Sequence, residues 1–486
     1  MTSHASRYHV SESLFTSSIR KDRRQSVAFA SGNTCWRRKR SFLTSSTSSS
    51  SNSSSFTTPE PPIGNGKCEN EVNELENERV REQISQLPIK DVIEDCLRVL
   101  FENENNDLIL QAPPGAGKTT ALPLAMMCSR LGKRWFKGGK ILVLEPRRVA
   151  ARAAATRMAS ILNEKVGETV GYQVRFERLV SSKTQIEVVT EGVLKNRLAK
   201  DPSLRGVSCV VFDEFHERNL DADLSLALVL RAKSKFGRDK DLKVCVMSAT
   251  LGDVAVRCQE LMRKTLRRKE GEEEYFYYDA PIVQSEGKSF SVETIYVGGG
   301  GINGAYNDTE EVAVKTIQKA LSDTPNGGNI LVFLPGAAEI RRVVKSLKDR
   351  LGDSHFEILP LYGALPTNEQ NYALMPSNTP AKRRVVVSTP IAESSLTVPG
   401  VTIVVDSGLR RAPKYDHSKG MTRLTTERVS ISSADQRRGR AGRIAEGMCY
   451  RMWSENSMAT SFQKETTPEI LTADLTSCML TIANAL

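Results

Sequence analysis

Residues 111–120 of this chain read QAPPGAGKTT, and this stretch decides the fold. It follows an apolar run at Leu108–Gln111 that predicts a strand, and it opens a segment that favours a helix. Backbone N–H groups of such a loop and the N-terminus of the helix bind phosphate oxygens. Ala112 replaces the first glycine of the usual GxxxxGK[ST] pattern, but the remaining pattern is present. We therefore predict a phosphate-binding loop made of Gly115, Ala116, Gly117, Lys118, Thr119 and Thr120.

Apolar runs on both sides of this loop alternate with helical patterns, which predicts an α/β fold. Most of the runs are apolar on both faces, as strands of a buried parallel sheet are. The predicted strands are Leu108–Gln111, Lys140–Leu144, Gln185–Val189, Val207–Phe212, Leu242–Met247, Asn329–Leu334, Arg384–Ser388 and Val401–Val405. The pattern weakens around residues 285–305. We therefore predict a first domain at residues 84–285 and a second domain of the same architecture at residues 286–458.

Two acidic residues follow the run Val207–Phe212. Asp213 and Glu214 would lie at the carboxyl end of that strand, where open α/β sheets bind ligands. We predict that Asp213 and the Thr119 hydroxyl bind Mg²⁺, that Lys118 reaches the β- and γ-phosphates, and that Glu214 is the general base. A pair of this kind standing alone commonly caps a strand in solvent, but its place downstream of a phosphate loop favours catalysis.

Residues 436–443 read QRRGRAGR, and five of these eight residues are Arg or Gln. A basic solvated helix face or a contact with a phosphate backbone would also explain such a stretch. Arginines that a second domain delivers to a γ-phosphate stabilise its developing charge and contribute roughly 10³–10⁵ in rate. The regular spacing after a helical start at residues 432–435 favours this third interpretation.

The composition excludes some classes of protein but does not by itself indicate a function. The chain has 486 residues and a net charge of +11, but residues 1–56 hold nine Lys or Arg and two acids, so the charge is weak support for nucleic-acid binding. This Ser- and Arg-rich leader, residues 1–60, is predicted to be disordered and suits a transit peptide, with the chloroplast favoured over the mitochondrion. A nonspecific tail is the alternative.

No run reaches the ~18 apolar residues of a membrane span, and no CxxC pair supports a zinc site.

Eight motifs occur in an order that resembles the superfamily 2 DEAH-box helicases across roughly residues 85–486. These motifs are GAGKTT, LEPRRVAARA, TEGVL, DEFHERNL, MSAT, LVFLPG, STPIAESSLT and QRRGRAGR. The acid box DEFH, the segment APIVQSEGKSF at 280–290 and the stretch Asp406–Leu424 resemble the bacterial HrpB-type branch and its plant homologues. The resemblance implies two tandem RecA-like parallel-sheet domains with ATP in the cleft between them. It also implies a helicase that couples hydrolysis to 3′-to-5′ movement on RNA.

The resemblance further implies roles for single residues. His216 would link the acid box to the second domain, and Ser248 and Thr250 would couple hydrolysis to domain motion. No adenine-reading Gln motif is evident upstream, as in DEAH relatives. We therefore expect ATP and other nucleoside triphosphates to be accepted together with Mg²⁺.

Within the stretch QRRGRAGR, the resemblance makes Gln436 the residue that positions the attacking water and makes Arg440 and Arg443 the arginine fingers. Arg438 stands where the family usually has Ala. This departure removes no role, and it adds either crowding or a further nucleic-acid contact.

A single RNA strand would be contacted from both domains. The resemblance implies phosphate contacts from Arg147, Arg148 and Thr190, and backbone contacts from Thr389 and Ser395. For the two arginines alone, a solvated helix start would be an equal explanation. The family usually reads ATNIAETSLT at 388–397. Here Pro390 lacks the side-chain donor of Asn, whereas Ser394 keeps the hydroxyl of Thr.

Residues 459–486 resemble the start of a winged-helix region, beyond which family members continue. On this basis the chain is expected to be C-terminally truncated, a monomer without a membrane partner, and weak at unwinding without an activating protein partner. A noncatalytic RNA-binding assembly factor that retains the helicase fold is the alternative function. DNA in place of RNA also stays open, because contacts to a phosphate backbone carry little base information.

Overall fold

A computed structural model describes residue 75 and residues 77–485, except 104, 137, 251, 268–274, 288, 299–308, 353–354, 378–381 and 395. The predicted leader and Ser395 lie outside the described residues. The described cysteines are all free and buried, as expected for small apolar side chains. Among the helices that can be described, none is long and apolar enough to cross a bilayer.

The helices are numbered in chain order. They are α1 (Glu78–Ser85), α2 (Lys90–Glu102), α3 (Lys118–Cys128), α4 (Arg130–Phe136), α5 (Arg148–Leu162), α6 (Glu191–Lys200), α7 (Leu220–Lys235), α8 (Gly252–Leu261), α9 (Thr309–Asp323), α10 (Ala337–Leu351), α11 (Thr367–Leu374), α12 (Ile431–Arg438), α13 (Glu455–Ser461) and α14 (Thr476–Ala485). Short 3-10 turns occur at Phe215–Glu217, Pro390–Ala392 and Glu469–Leu471.

The strands of the first half form an eight-stranded sheet in the order β10-β1-β7-β6-β2-β5-β3-β4, with a separate hairpin β8-β9. They are β1 (Leu108–Gln111), β2 (Lys140–Leu144), β3 (Val170–Val174), β4 (Glu177–Leu179), β5 (Ile186–Val189), β6 (Val207–Phe212), β7 (Lys243–Ser248), β8 (Lys264–Arg267), β9 (Tyr275–Tyr278) and β10 (Ile282–Gln284). Only β4 at the edge of this sheet is antiparallel to its neighbour.

The second half forms a six-stranded parallel sheet in the order β11-β18-β15-β12-β14-β13, and β16 and β17 form an antiparallel hairpin. The strands are β11 (Val292–Tyr296), β12 (Asn329–Phe333), β13 (Phe356–Leu361), β14 (Arg383–Ser388), β15 (Val401–Asp406), β16 (Leu409–Asp416), β17 (Met421–Arg428) and β18 (Gly447–Arg451). The predicted α/β class with two parallel-sheet domains is therefore confirmed.

All eight predicted strands occur, with ends that shift by one residue at most. Their apolar runs are buried because helices cover both faces of each sheet; every residue of β5 and β7, for example, is buried. Separate apolar clusters line the two faces of the first sheet. Two further clusters line the second sheet, and one of them also takes in Val149 and Ala150 from the first domain.

The domain limits differ in detail from the predicted ones. The first domain was expected to begin at residue 84, but α1 begins at Glu78, and Leu75 and Val80 are fully buried in the core of that domain. These short apolar positions precede the long helical pattern, so periodicity alone does not reveal them. The chain passes from the first sheet to the second between β10 and β11, residues 284 and 292, the early end of the weak stretch.

The residues of the predicted site lie together at the carboxyl ends of the parallel strands, on one side of the first sheet. The phosphate loop follows β1, Asp213 follows β6, and Ser248 ends β7, the strand that lies between them. Arg147 and Thr190 follow β2 and β5 on the same edge. One edge therefore carries both the phosphate loop and the predicted RNA contacts of this domain.

The opposite edge of the first sheet contains a buried lysine. Lys243 is 1% exposed at the start of β7, and its Nζ lies 4.0 Å from the ring centre of Trp135 and 5.2 Å from that of Phe101. Burial lowers the pKa of Lys243 to about 7. The ammonium group is therefore half deprotonated near neutral pH, although the aromatic faces favour its charged form.

We expect the contribution of Lys243 to the stability of the protein to rise as the pH rises above 7. Between the folded pKa of about 7 and the ordinary lysine value of 10.5, the unfolded chain binds a proton at Lys243 that the folded chain does not. Lys243→Met should stabilise the protein at pH 7 and reduce this slope, measured by urea unfolding between pH 6.5 and 9. Lys240→Met, at an exposed lysine nearby, is the control. An unchanged slope in Lys243→Met would show that another group produces it.

Candidate active site

The phosphate loop has a backbone that glycine alone adopts easily. Gly115 and Gly117 have φ angles of +88° and +93°, in the left-handed region that L side chains rarely occupy. A Cβ on Gly117 would lie 2.7 Å from Cδ1 of Leu87, so the chain preceding α2 closes the space behind the loop. Ala116 is buried, and Thr120 lies in the first turn of α3, where its hydroxyl donates to the Gly117 carbonyl.

Lys118 is the buried centre of the loop. Its Nζ lies 3.2 Å from Oε1 of Glu214 and 3.8 Å from Oδ1 of Asp213. Burial alone would lower the pKa of Lys118, but the two carboxylates outweigh burial and raise it. The ammonium group is therefore charged and is held where β6 ends beside the loop.

The oxygen atoms of Asp213 and its neighbour suit a magnesium ion as ligands. The Thr119 hydroxyl donates directly to Oδ2 of Asp213, so a hydroxyl and a carboxylate already meet at one point. Mg²⁺ prefers such oxygen ligands and takes its remaining ones from water and substrate phosphates. Burial raises the pKa of Asp213, and a cation beside the carboxylate would lower it again.

Glu214 is ionised and held in an unusual backbone conformation. Its φ angle is +50°, and its N–H donates to Oδ1 of Asp213 at 2.7 Å. Burial alone would raise the pKa of Glu214, but Lys118 and His216 outweigh it and lower the pKa to about 2. Left-handed non-glycine residues of this kind are concentrated at functional sites.

His216 lies between the two domains. Its Nδ1 is 3.5 Å from Oε2 of Glu214 and 3.3 Å from Oγ of Ser248, and its Nε2 is 3.3 Å from Oε1 of Gln436. Ser248 also donates to the carbonyl of Thr250. A short polar chain therefore joins the end of β7, the acid box and helix α12 of the second domain.

The two predicted arginine fingers occupy different environments. Arg440 is buried and donates to the backbone carbonyls of Glu393 and Leu396 in its own domain. Arg443 packs against the phosphate loop. A Cβ atom placed on Gly115 would lie 3.6 Å from Nε of Arg443. Burial and the charge of Arg443 lower the pKa of Arg440, and burial lowers the pKa of Arg443 to about 10. An anion between the two guanidinium groups would stabilise their charged forms and raise both pKa values.

Sequence reasoning gave Arg437 no role, although it lies within the same motif. Arg437 is fully buried, with Nε 2.8 Å from Oε2 of Glu393 and Nη1 2.8 Å from Oδ1 of Asp406. These ion pairs fix α12 against the end of β15 and the turn that follows β14. Arg438, its neighbour, is partly exposed. Nothing in the local pattern of alternating Arg and Gly distinguishes the buried arginine from the exposed one.

The predicted RNA contacts are spread along the interdomain edge. Arg148 is exposed at the start of α5, and Thr190 precedes α6 without a capping hydrogen bond from its side chain. Thr389 precedes the turn Pro390–Ala392 of the second domain. Arg147 differs from the others, because protein groups already occupy its terminal nitrogens.

These groups include a carboxylate that sequence reasoning missed. Nη1 of Arg147 donates to the Pro390 carbonyl at 2.6 Å, and Nη2 donates to Oε1 of Glu217 at 3.0 Å. The Ser394 hydroxyl donates to the same Glu217 oxygen. Pro390 and Ser394 are two of the three departures from the usual family motif, the third being Ser388 in place of Ala. Pro390 takes part through its backbone carbonyl and Ser394 through its hydroxyl, so the contact needs no Asn side chain.

Comparisons with known proteins agree with this geometry. The DEAD/DEAH box helicase family matches residues 90–257, and the helicase conserved C-terminal domain matches residues 312–445. The ATP-dependent RNA helicase HrpB of Escherichia coli is 41% identical over 398 residues, which are 82% of this chain and 45% of HrpB. The ATP-dependent RNA helicase DHX33 of Homo sapiens is 34% identical over 411 residues, which are 83% of this chain and 54% of DHX33.

A solved structure has a similar fold over most of this chain. The crystal structure of the Escherichia coli DEAH/RHA helicase HrpB matches with a TM-score of 0.71 at 39% identity, covering 82% of this chain and 46% of that one. This chain thus spans about half the length of these relatives. The chain belongs to the DEAD/DEAH box helicase family and is a homologue of the DEAH-box helicase HrpB.

Proposed function

We propose that this chain is an ATP-dependent RNA helicase whose hydrolysis of ATP is stimulated by single-stranded RNA. One observation carries the proposal: His216 joins Glu214 of the first domain to Gln436 of the second at 3.3–3.5 Å. A cleft built in this way brings a phosphate loop, a carboxylate and arginines from the opposite domain to one point, as phosphoryl transfer to water requires.

Hydrolysis follows from the charges in the cleft. Lys118 pairs with the Glu214 carboxylate in this structure. The γ-phosphate of a bound nucleotide would bind the Lys118 ammonium group instead and free Glu214. Glu214 then faces the attacking water as the proton acceptor, and Gln436 fixes the position of that water. Arg443 and Arg440 stabilise the charge that develops on the transferred group.

Metal and nucleotide requirements follow from the same residues. Asp213 and Thr119 are the residues that would hold Mg²⁺, which neutralises charge on the nucleotide phosphates when bound. The phosphate loop contacts the phosphates through its backbone and Lys118, which are indifferent to the base. We therefore include other nucleoside triphosphates among the substrates.

RNA is supported as the activator by the chemistry of the interdomain edge and by the names of the relatives. Arg147 and Arg148 follow β2, Thr190 follows the neighbouring strand β5, and Thr389 directly precedes Pro390 of the second domain, whose carbonyl accepts from Arg147. Hydroxyl and guanidinium groups of this kind bind phosphate and ribose oxygens. Movement from 3′ to 5′, a monomeric state and an activating protein partner belong to the proposal as well. Import into the chloroplast is supported by the composition of residues 1–60 alone.

We expect Glu214→Gln to abolish RNA-stimulated hydrolysis, because Gln keeps the shape of the side chain but cannot accept a proton. The measurement is phosphate release by the full chain with and without poly-U RNA. Glu310→Gln, which removes a surface carboxylate paired with Arg342, is the control. Unchanged release in Glu214→Gln would exclude this carboxylate as the base. No release by the wild-type chain would favour the noncatalytic assembly factor.

We expect GTP to be hydrolysed at a rate comparable to ATP, because base recognition plays no part in the site described above. The measurement is the ratio kcat/KM for GTP and ATP at saturating RNA. Strict dependence on ATP would show that a base-reading group exists that we have not identified.

We expect Arg443→Gln to lower the rate of hydrolysis by about 10²–10³ while nucleotide binding changes little, because a finger acts mainly on the transition state. Single-turnover phosphate release measures the rate, and binding of a fluorescent ATP analogue measures affinity. Arg438→Gln removes a neighbouring arginine that is partly exposed, so its rate should match the wild type. Equal losses in both variants would point to folding rather than to a finger.

A further inference from the structure

The contact between the domains engages an arginine that is also proposed to bind RNA. Arg147 precedes α5, and its side chain is 25% exposed. One terminal nitrogen donates to a carbonyl of the second domain, at Pro390, and the other to Glu217 of its own domain. An RNA phosphate that binds this guanidinium group must therefore compete with partners that it already has.

Of the two groups that accept from the terminal nitrogens of Arg147, Glu217 is the charged one. Its Oε1 accepts from both Arg147 and the Ser394 hydroxyl, so one carboxylate oxygen holds a group from each domain. The other nearby carboxylate, Glu393, is taken up by Ser433 and Arg437. Although burial alone would lower the pKa of Arg147, Glu217 and then Glu393 outweigh it and raise the pKa.

The same carboxylate is connected to the hydrolytic centre through the backbone. Phe215–Glu217 form a single 3-10 turn, and the N–H of Glu217 donates to the carbonyl of Glu214 at 3.0 Å. Glu214 itself is held at a φ angle of +50°, a strained conformation that persists only where its surroundings impose it. The residue that holds Arg147 is therefore bonded through its backbone directly to the residue proposed as the base.

We propose that Glu217 is a positioning residue that couples RNA binding to the hydrolytic carboxylate Glu214, through competition with an RNA phosphate for Arg147. The inference rests on the proposed function and names the regulation of that site. Carboxylates and phosphates both bind the two terminal nitrogens of a guanidinium group, so one displaces the other. Without RNA, Arg147 holds Glu217, Pro390 and the turn in the arrangement described here. With RNA, Arg147 moves to a phosphate and releases the turn.

Linkage fixes the direction of the effects. A contact made only in the RNA-free state opposes RNA binding, and its removal must favour the RNA-bound state. Glu217→Gln keeps an acceptor for the Ser394 hydroxyl but removes the charge that holds Arg147. Loss of this ion pair should tighten RNA binding by about two- to fivefold, the range of a partly exposed ion pair. It should also raise hydrolysis without RNA, so that RNA stimulates the variant less than the wild type.

The experiment measures two properties of the full chain. The dissociation constant of a fluorescent poly-U oligomer is determined by anisotropy in the absence of nucleotide, and phosphate release is measured with and without that oligomer. Tighter RNA binding together with a smaller stimulation factor supports the proposal. Weaker RNA binding with slower hydrolysis would mean that Glu217 has a structural role only, and it would overturn the coupling.

Two further variants separate competition from a general change of charge. Asp221→Asn removes a carboxylate that lines the same cavity as Glu217 but pairs with Lys195, so its RNA affinity should match the wild type. In an Arg147→Gln background, Glu217→Gln should no longer tighten RNA binding, because no arginine is left to release. Tightening that persists in this background would reject the proposal.

Failure of the coupling and failure of the proposed function give different results. A wild-type chain that RNA does not stimulate contradicts the proposed function and the coupling together. A stimulated wild type beside a Glu217→Gln variant with the same RNA affinity and the same stimulation factor overturns the coupling alone.

Discussion

The burial of one ammonium group between two carboxylates is the constraint on which the site depends. Lys118 can remain charged inside the protein because Asp213 and Glu214 stand within 4 Å of it. That arrangement requires the loop after β1 and the acid box after β6 to meet across β7, which parallel strands in this order achieve. An unpaired buried carboxylate would be costly, so Lys118 stabilises the buried acid pair until phosphate arrives.

Polar contacts join the two domains near this centre. His216 faces Gln436, and Arg147 and Glu217 face Pro390 and a serine hydroxyl. Beside them lies a smaller apolar contribution, in which Val149 and Ala150 share a cluster with the second domain. Hydrogen bonds and ion pairs of this kind can exchange partners at modest net cost, whereas a large apolar interface would not separate easily. The interface therefore suits domains that move during a cycle.

Local patterns in the sequence predicted the strands well, and the residues proposed as phosphate loop and acid box follow those strands, because each feature depends on residues that are neighbours in the chain. They did not predict the partner of Arg147 or the burial of Arg437. Those contacts join residues 31 to 243 positions apart, and their side-chain types are common on solvated surfaces. Helix α1 was missed for a related reason, since its short amphipathic pattern gains its core contacts only from the folded domain.

Lys243 has a consequence for enzymology. Its ammonium group loses a proton near pH 7 at the edge of the sheet opposite the cleft, whereas Glu214 is already ionised far below neutrality. In a rate profile measured against pH at a temperature close to Tm, the titration of Lys243 would therefore contribute an ascending limb near neutrality. That limb would report the fraction of folded molecules rather than a proton transfer in the cleft.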